Sequence, residues 1–413
     1  MKKYVLFILG CALWLVIPLS SCQTQQPASK APKYVFLFIG DGMGLAQVAA
    51  TEAYLSAKEG AVGSKNLPFS NFPVIGLATT FSANHYVTCS SAAGTALSTG
   101  SKTNNDMLGM APAGDTLTSI TYKLKRAGYK IGIATTVGVD HATPAAFYAS
   151  SGKRSSYYDI ALQLPASNFD FFAGGDFIKP SGKNNDRPDI HHVAAEAGYT
   201  IVRDHAAVSG VAEKVILLQA ENKGAELPYA IDRTDDDLTL PQITAAAIKF
   251  LDNEKGFFAM IEGGKIDWAC HSNDGATSIY ETIDFANAVQ HAIDFYHRHP
   301  DETLIIVTAD HETGGLALNL EADVDGLLLV DEKTTPYEVD VSTYMDKNAR
   351  RQERQNRIAG QNRKIGLGWT SNDHTGSPVP VYAIGAGSEL FGGKYDNTDI
   401  PKRICRAMGV AFQ

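Results

Sequence analysis

VFLFIGDGMG, residues 35–44, is the stretch from which the fold can be read. A continuously apolar run of strand length suits a strand covered on both faces. It ends in Gly-Asp-Gly-Met-Gly, so the carboxylate of Asp41 would leave the sheet edge where glycines let other backbone approach closely. A purely structural turn is the alternative. A phosphate loop is not, because the Lys-Ser/Thr of a P-loop and the spacing of a dinucleotide fingerprint are both missing.

The same pattern recurs along the chain. YVFLFIG (34–40), KIGIATT (130–136), FDFFAGG (169–175), KVILLQ (214–219), GFFAMIEGG (256–264), TLIIVTAD (303–310) and VPVYAIGAG (379–387) read as strands, most ending in Gly- or Asp-containing turns. Helical segments alternate with them at 91–100, 117–128, 157–165, 189–198, 240–253 and 278–299. This order predicts an α/β three-layer sandwich around a mostly parallel sheet. Ligands then collect beyond the carboxyl ends of the strands. Residues near 318–370 break the alternation and read as an inserted loop or small cap, with KNARRQERQNR (347–357) as a solvated helix face.

The ends of the chain bear on its address. Lys2 and Lys3, the apolar run 5–19 and Leu-Ser-Ser-Cys at 19–22 form a cleavable leader, residues 1–21, too short for an ordinary membrane span. The last four residues resemble a bacterial lipobox, which would make Cys22 a lipidated first residue. Residues 22–32 then act as anchor and tether, 33–413 as the catalytic domain, and the location is the bacterial cell envelope, facing the periplasm or the outside. An ordinary cleaved signal is the alternative. With a net charge of −9 and no long basic face, a nucleic-acid partner is not implied. Cys89, Cys270 and Cys405 show no CxxC spacing and read as free thiols, although Cys89 and Cys270 both adjoin candidate site residues.

Five stretches carry the chemistry: VFLFIGDGMG with Asp41, VTCSSAAGTALSTG (87–100) around Ser90, DHATPAAFYASSGKR (140–154) from Asp140 to Arg154, IEGGKIDWACH (261–271) with Glu262, Asp267 and His271, and TADHETGG (308–315) together with NDHTGS. Asp267 and His271, four apart in a helical stretch, share one face and can reach one ion. Asp310 and His311 are adjacent, so they can share a site only where the strand ends. His374 in NDHTGS (372–377) adds an imidazole, and Glu262 closes an apolar strand. Each is weak alone, since a single histidine is commonly hydrogen-bonded structure. Ser90 lies where HYVT (85–88) meets a small-residue helix, whose free amides and positive dipole end suit an alkoxide and an incoming phosphate. Thr88, Cys89 and Ser91 compete with it, and a Ser pair also serves as a helix cap.

Taken in order over residues 33–413, these motifs resemble the alkaline phosphatase family of metal-dependent phosphomonoesterases. The resemblance implies Ser90 as nucleophile and Arg154 as the phosphate-binding arginine. It implies Asp267, His271 and His374 as ligands of a first zinc, and Asp41, Asp310 and His311 as ligands of a second. Asp41, Thr143 and Glu262 would hold a third metal, magnesium or zinc. Small phosphate monoesters are the implied substrates, hydrolysed at alkaline pH through a phosphoserine, by a homodimer. Two zinc ions roughly 4 Å apart suit an in-line displacement, and the planar fork of Arg154 can meet two phosphoryl oxygens at once. Rival activities are a phosphodiesterase or sulfatase of the same superfamily, or metal-dependent phosphate binding without turnover. Three positions depart from some family members: His141 stands for an aspartate, Trp268 for a lysine, and Cys89 for an aspartate that helps hold the arginine. His141 and Trp268 would therefore tune the third site, and Arg154 would be more mobile.

Overall fold

The computed structural model describes residues 31–331 and 347–412. The leader, Cys22 and the tether as far as Lys30 lie outside the described residues, as does the 332–346 part of the insertion. Fourteen strands are present among them: β1 (Tyr34–Gly40), β2 (Val74–Thr79), β3 (Lys130–Thr135), β4 (Phe171–Gly174), β5 (Tyr199–Val202), β6 (Lys214–Leu218), β7 (Phe257–Gly263), β8 (Thr303–Thr308), β9 (Glu312–Thr313), β10 (Leu316–Leu318), β11 (Leu367–Trp369), β12 (His374–Thr375), β13 (Val379–Gly385) and β14 (Gly393–Asp396). Ten of them form one sheet in the order β14-β2-β13-β8-β1-β7-β3-β4-β6-β5. Every pairing in it is parallel except the two made by β13, which returns antiparallel between β2 and β8.

The three-layer α/β sandwich expected from the sequence is therefore the observed architecture. Helices cover both faces, and the central strands β1, β7 and β8 are buried along their whole length. Their side chains build one aromatic and aliphatic core, in which Phe36, Phe257 and Phe295 pack edge to face.

Parallel register positions the site. Ile39 pairs with Glu262 and with Thr308, and Thr135 also pairs with Glu262. Asp41, Glu262 and Asp310 thus emerge from adjacent strands at one edge of the sheet. The described part of the insertion folds as the β10–β11 antiparallel pair with the helices Val324–Leu328 and Lys347–Ile365. Leu316, Leu327, Val330, Ile365 and Leu367 form a second apolar cluster with Ala50, Tyr54 and Ile279 of two neighbouring helices. No helix among the described residues is long and apolar enough to cross a membrane.

Candidate metal centre

Asp41 follows β1 directly and is fully buried, and neither carboxylate oxygen has a hydrogen-bond partner among the described residues. The glycines after it are needed for space. Gly42 has φ +73°, and a Cβ there would lie 2.9 Å from the backbone of Asp267; one on Gly44 would lie 2.4 Å from Glu312. Asp310 accepts the amides of Gly42 and His311 on Oδ1 at 3.3 and 2.9 Å, which leaves Oδ2 bare. Because β8 has ended at Thr308, Asp310 and His311 converge, with Nε2 of His311 3.2 Å from Oδ2 of Asp310 and 3.4 Å from Oδ1 of Asp41.

Ser90 opens the helix Ser90–Thr99, and its Oγ lies 3.3 Å from the same Nε2. Its three competitors face elsewhere: the Thr88 hydroxyl bonds the Cys89 carbonyl, and the Cys89 thiol meets Ser91 Oγ at 3.1 Å. Asp106 donates its amide to that thiol at 3.2 Å. Cys89, Cys270 and Cys405 are all free, so Cys89 and Cys270 do not pair.

Asp267 and His271 share one face of the helix Lys265–His271, as their spacing predicts, with His271 Nε2 3.4 Å from Asp267 Oδ2. His374 Nε2 is 3.1 Å from His271 Nε2 and 3.6 Å from Asp267 Oδ1. Backbone carbonyls decide the tautomers. Nδ1 of His271 donates to Asn372 O at 2.6 Å and Nδ1 of His374 to Thr88 O at 2.8 Å, so both Nε2 lone pairs face inward. Thr313 does the same for His311. Its hydroxyl donates to Asp267 at 2.6 Å and lies 3.2 Å from His311 Nδ1, which donates to it.

Two ligand sets of this kind call for cations. Asp41, Asp310 and His311 form one compact group and Asp267, His311 and His374 another, with His311 common to both and His271 beside the second. Nitrogens bound to one tetrahedral ion at roughly 2.0–2.1 Å lie about 3.4 Å apart, close to the 3.1–3.6 Å separations found here. Burial, reinforced by the carboxylates beside it, pushes Asp41 well above the usual carboxylate range and Asp310 up to about 8. Burial also holds His311 and His374 below the ordinary histidine value, helped by the neighbouring imidazoles. Neutral imidazoles facing bare carboxylates suit a bound cation and little else.

A third group adjoins them. Glu262 is fully buried; Thr135 donates a hydroxyl to Oε2, whereas Oε1 and the Thr143 hydroxyl are without well-formed hydrogen bonds. Burial pushes Glu262 up to about 7, while Thr135 and Thr143 partly offset it. His141 lies alongside with an unpartnered Nδ1, its ring edge-on to Trp268 at 5.8 Å. Its Nε2 is 3.3 Å from Nη2 of Arg154, and burial with the nearby guanidinium lowers its pKa to about 3. The Arg154 guanidinium is thus oriented by His141, while its backbone amide donates at 2.7 Å to the carbonyl of Asp106, whose own amide meets the Cys89 thiol.

All ten candidate site residues and both tuning positions meet at this edge. Four more had no signal that sequence reasoning could use: Thr135, Thr313, Gln47 and Glu312. Gln47 bonds Glu312 and Thr313 O, both at 2.8 Å, and Glu312 also receives the Thr375 hydroxyl and the Gly315 amide. This pair ties the segment carrying His311 to the segment carrying His374.

Comparison with known proteins agrees with this geometry. The family model for alkaline phosphatase matches residues 32–410. Alkaline phosphatase 3 of Bacillus subtilis is 32% identical over 95% of this chain and 92% of its own length, and alkaline phosphatase 4 of that species is 31% identical over 91% and 90%. Among solved structures, a cold-active alkaline phosphatase from Shewanella superposes with a TM-score of 0.79 at 29% identity, covering 91% of this chain and 99% of that one. The Thermus thermophilus alkaline phosphatase gives 0.80 at 26%, covering 97% of each. Fold, buried ligand sets and sequence together show that the chain belongs to the alkaline phosphatase family and is a metal-dependent phosphatase.

Proposed function

We propose that the chain hydrolyses phosphate monoesters at alkaline pH through a phosphoserine on Ser90. The reading rests on one observation: Ser90 Oγ sits at the start of a helix and 3.3 Å from Nε2 of His311, a member of the Asp41–Asp310–His311 cluster. Amides of the first helical turn lack intrahelical acceptors and can receive phosphoryl oxygens. Attack by Ser90 Oγ forms the O–P bond as the ester O–P bond opposite it breaks. Water then attacks phosphorus, releases phosphate and restores the hydroxyl. Arg154, whose guanidinium has His141 as its side-chain partner, would hold two nonbridging oxygens through both steps.

Zinc suits the two imidazole-rich sets, Asp267–His271–His374 and Asp41–Asp310–His311. There it would supply Lewis acidity toward the serine and the leaving oxygen. Asp41, Thr143 and Glu262 offer only oxygen, as magnesium prefers, but His141 beside them favours zinc. In TAB5 alkaline phosphatase, forms with a histidine changed to glutamate or aspartate have Mg bound in the M3 site.

The Leu-Ser-Ser-Cys motif supports an envelope location through a lipid on Cys22, with 1–21 as leader, 22–32 as tether and 33–413 as the catalytic domain. A homodimer follows from the family resemblance. The test is hydrolysis of a phosphate monoester, a phosphate diester and a sulfate ester by metal-stripped protein reconstituted with zinc, with and without magnesium, beside Ser90→Ala. Monoester turnover should dominate and fall on the order of a thousandfold or more in the variant, with zinc content kept. Preference for the diester or sulfate, or phosphoenzyme labelling in Ser90→Ala, would refute the reading; metal-dependent phosphate binding without turnover would make the chain a binding protein.

A further inference from the structure

The segment that carries Arg154 continues into a second feature, a cleft of about 250 Å³. Ser155 and Ser156, which follow Arg154 directly, line one wall together with the helix Tyr157–Ala161. The opposite wall is the loop that begins at Lys179. Its root is fastened beside the metal centre, since the amide of Ile178 donates to the Asp140 carboxylate at 3.0 and 3.2 Å, and Asp140 immediately precedes His141.

This loop is built rather than loose. Ser181 Oγ bonds Asp189 at 3.0 Å, Ile190 N bonds Pro180 O at 2.9 Å and Arg187 N bonds Ser181 O at 3.1 Å. Across the cleft, the Tyr158 hydroxyl donates to Pro188 O at 2.8 Å and the Arg187 guanidinium lies 5.4 Å from the Tyr158 ring centre. Behind it, His191 bridges Asp176 and Asp189 at 2.6 and 2.7 Å, which gives a structural duty to a histidine that sequence reading leaves without one.

Lys179, Lys183 and Arg187 line the cleft against Asp159 and Asp186, yet none of these five makes an ion pair among the described residues. Lys153, exposed beside Arg154, is likewise unpaired there. Exposed ammonium groups lining a cleft whose first wall residue, Ser155, directly follows Arg154 in the chain attract an anion on the part of the substrate that departs.

We propose that this cleft is a specificity subsite for a second phosphate group, so that the preferred substrates are monoesters whose alcohol portion itself carries a phosphate. The proposal rests on Arg154 binding the reacting phosphate, as in the reading above. A phosphate on the alcohol portion would meet Lys179 and Lys183 as point charges and the Ser156 hydroxyl as a hydrogen-bond donor.

The experiment compares kcat/KM for a hexose 1,6-bisphosphate and a hexose 6-phosphate in the full chain and in Lys179→Gln/Lys183→Gln. A second variant, Lys249→Gln/Lys394→Gln, removes the same charge from exposed positions elsewhere. The bisphosphate-to-monophosphate ratio should fall about fivefold or more in the cleft variant, as expected for two exposed charge contacts, and stay put in the control. A ratio that moves less than about twofold, including a parallel fall for both esters, overturns the subsite. An equal fall in the control variant overturns it too, because the effect then belongs to the overall field. Absence of turnover with either ester in the unsubstituted protein would count against the phosphatase mechanism itself.

Discussion

Replacing Glu262 with glutamine separates what this carboxylate does for a cation from what its burial costs. Glu262 is 0% exposed and its Oε1 has no well-formed hydrogen bond among the described residues. Its pKa rises from 4.5 to about 7, chiefly through burial, with Asp267 adding to the effect and the Thr135 and Thr143 hydroxyls opposing it. A carboxyl with a raised folded-state pKa is neutral in both states below its unfolded value. The charged form then destabilises the folded state progressively as pH climbs, and the loss is complete above the folded-state pKa. At about 1.4 kcal/mol for each tenfold change in proton affinity, the cost above neutrality is on the order of 3 kcal/mol.

Glutamine keeps an acceptor for Thr135 and carries no charge. In chelator at about pH 9 the Glu262→Gln protein should therefore melt higher than the unsubstituted one, by about 4 °C for a chain of this length. The advantage should vanish toward about pH 4.5. With zinc and magnesium restored the order should reverse, since a neutral amide is the poorer ligand. Thermal unfolding followed by circular dichroism, with and without chelator across this pH range, reads all three. A variant less stable than the parent in chelator at high pH, or an advantage independent of pH, would refute the account of Glu262 as a carboxylate held ready for a cation.

His374→Ala should lose zinc and slow phosphoenzyme hydrolysis, with cation affinity down on the order of tenfold or more; normal zinc content by elemental analysis together with normal turnover removes His374 from the site. His141→Asp combined with Trp268→Lys should raise both activation by magnesium and inhibition by phosphate, because an oxygen donor replaces an imidazole and an ammonium is added; unchanged responses in steady-state assays mean these residues do not tune it. Cys22→Ser should release the protein from membranes or block its processing, since lipid chains contribute about 0.8 kcal/mol per buried methylene; a wholly soluble parent with no incorporated fatty acid refutes the anchor.

Much of the fold is legible locally because the sheet's centre is written in continuous apolar runs. β1, β7 and β8 are covered on both faces, so nearly every residue is apolar whatever the partner, Glu262 and the end threonines of β8 being the exceptions. The edges are harder to read. β2, β5 and β14 are short and partly exposed, and the helix Leu45–Ala57 is apolar nearly all round, so its period carries little contrast. The antiparallel direction of β13 depends on where the chain comes from, which its own residues do not encode.

The sequence by itself determined which atoms could bind a cation and at which strand ends they would emerge. Asp41, Glu262 and Asp310 each close an apolar run, and Asp267 and His271 are one helical turn apart. Tertiary structure alone decided how those atoms face. The Nδ1–H groups of His271 and His374 are claimed by carbonyls 101 and 286 residues away, and His311 is turned by a threonine that also grips Asp267. It likewise put the Ser90 hydroxyl beside His311 and turned Ser91 toward Cys89, set His141 beside the Arg154 guanidinium, and linked Gln47 to Glu312 across 265 residues. Ligand identity is a property of single residues, whereas the direction of a lone pair depends on hydrogen-bond partners that only folding brings within reach.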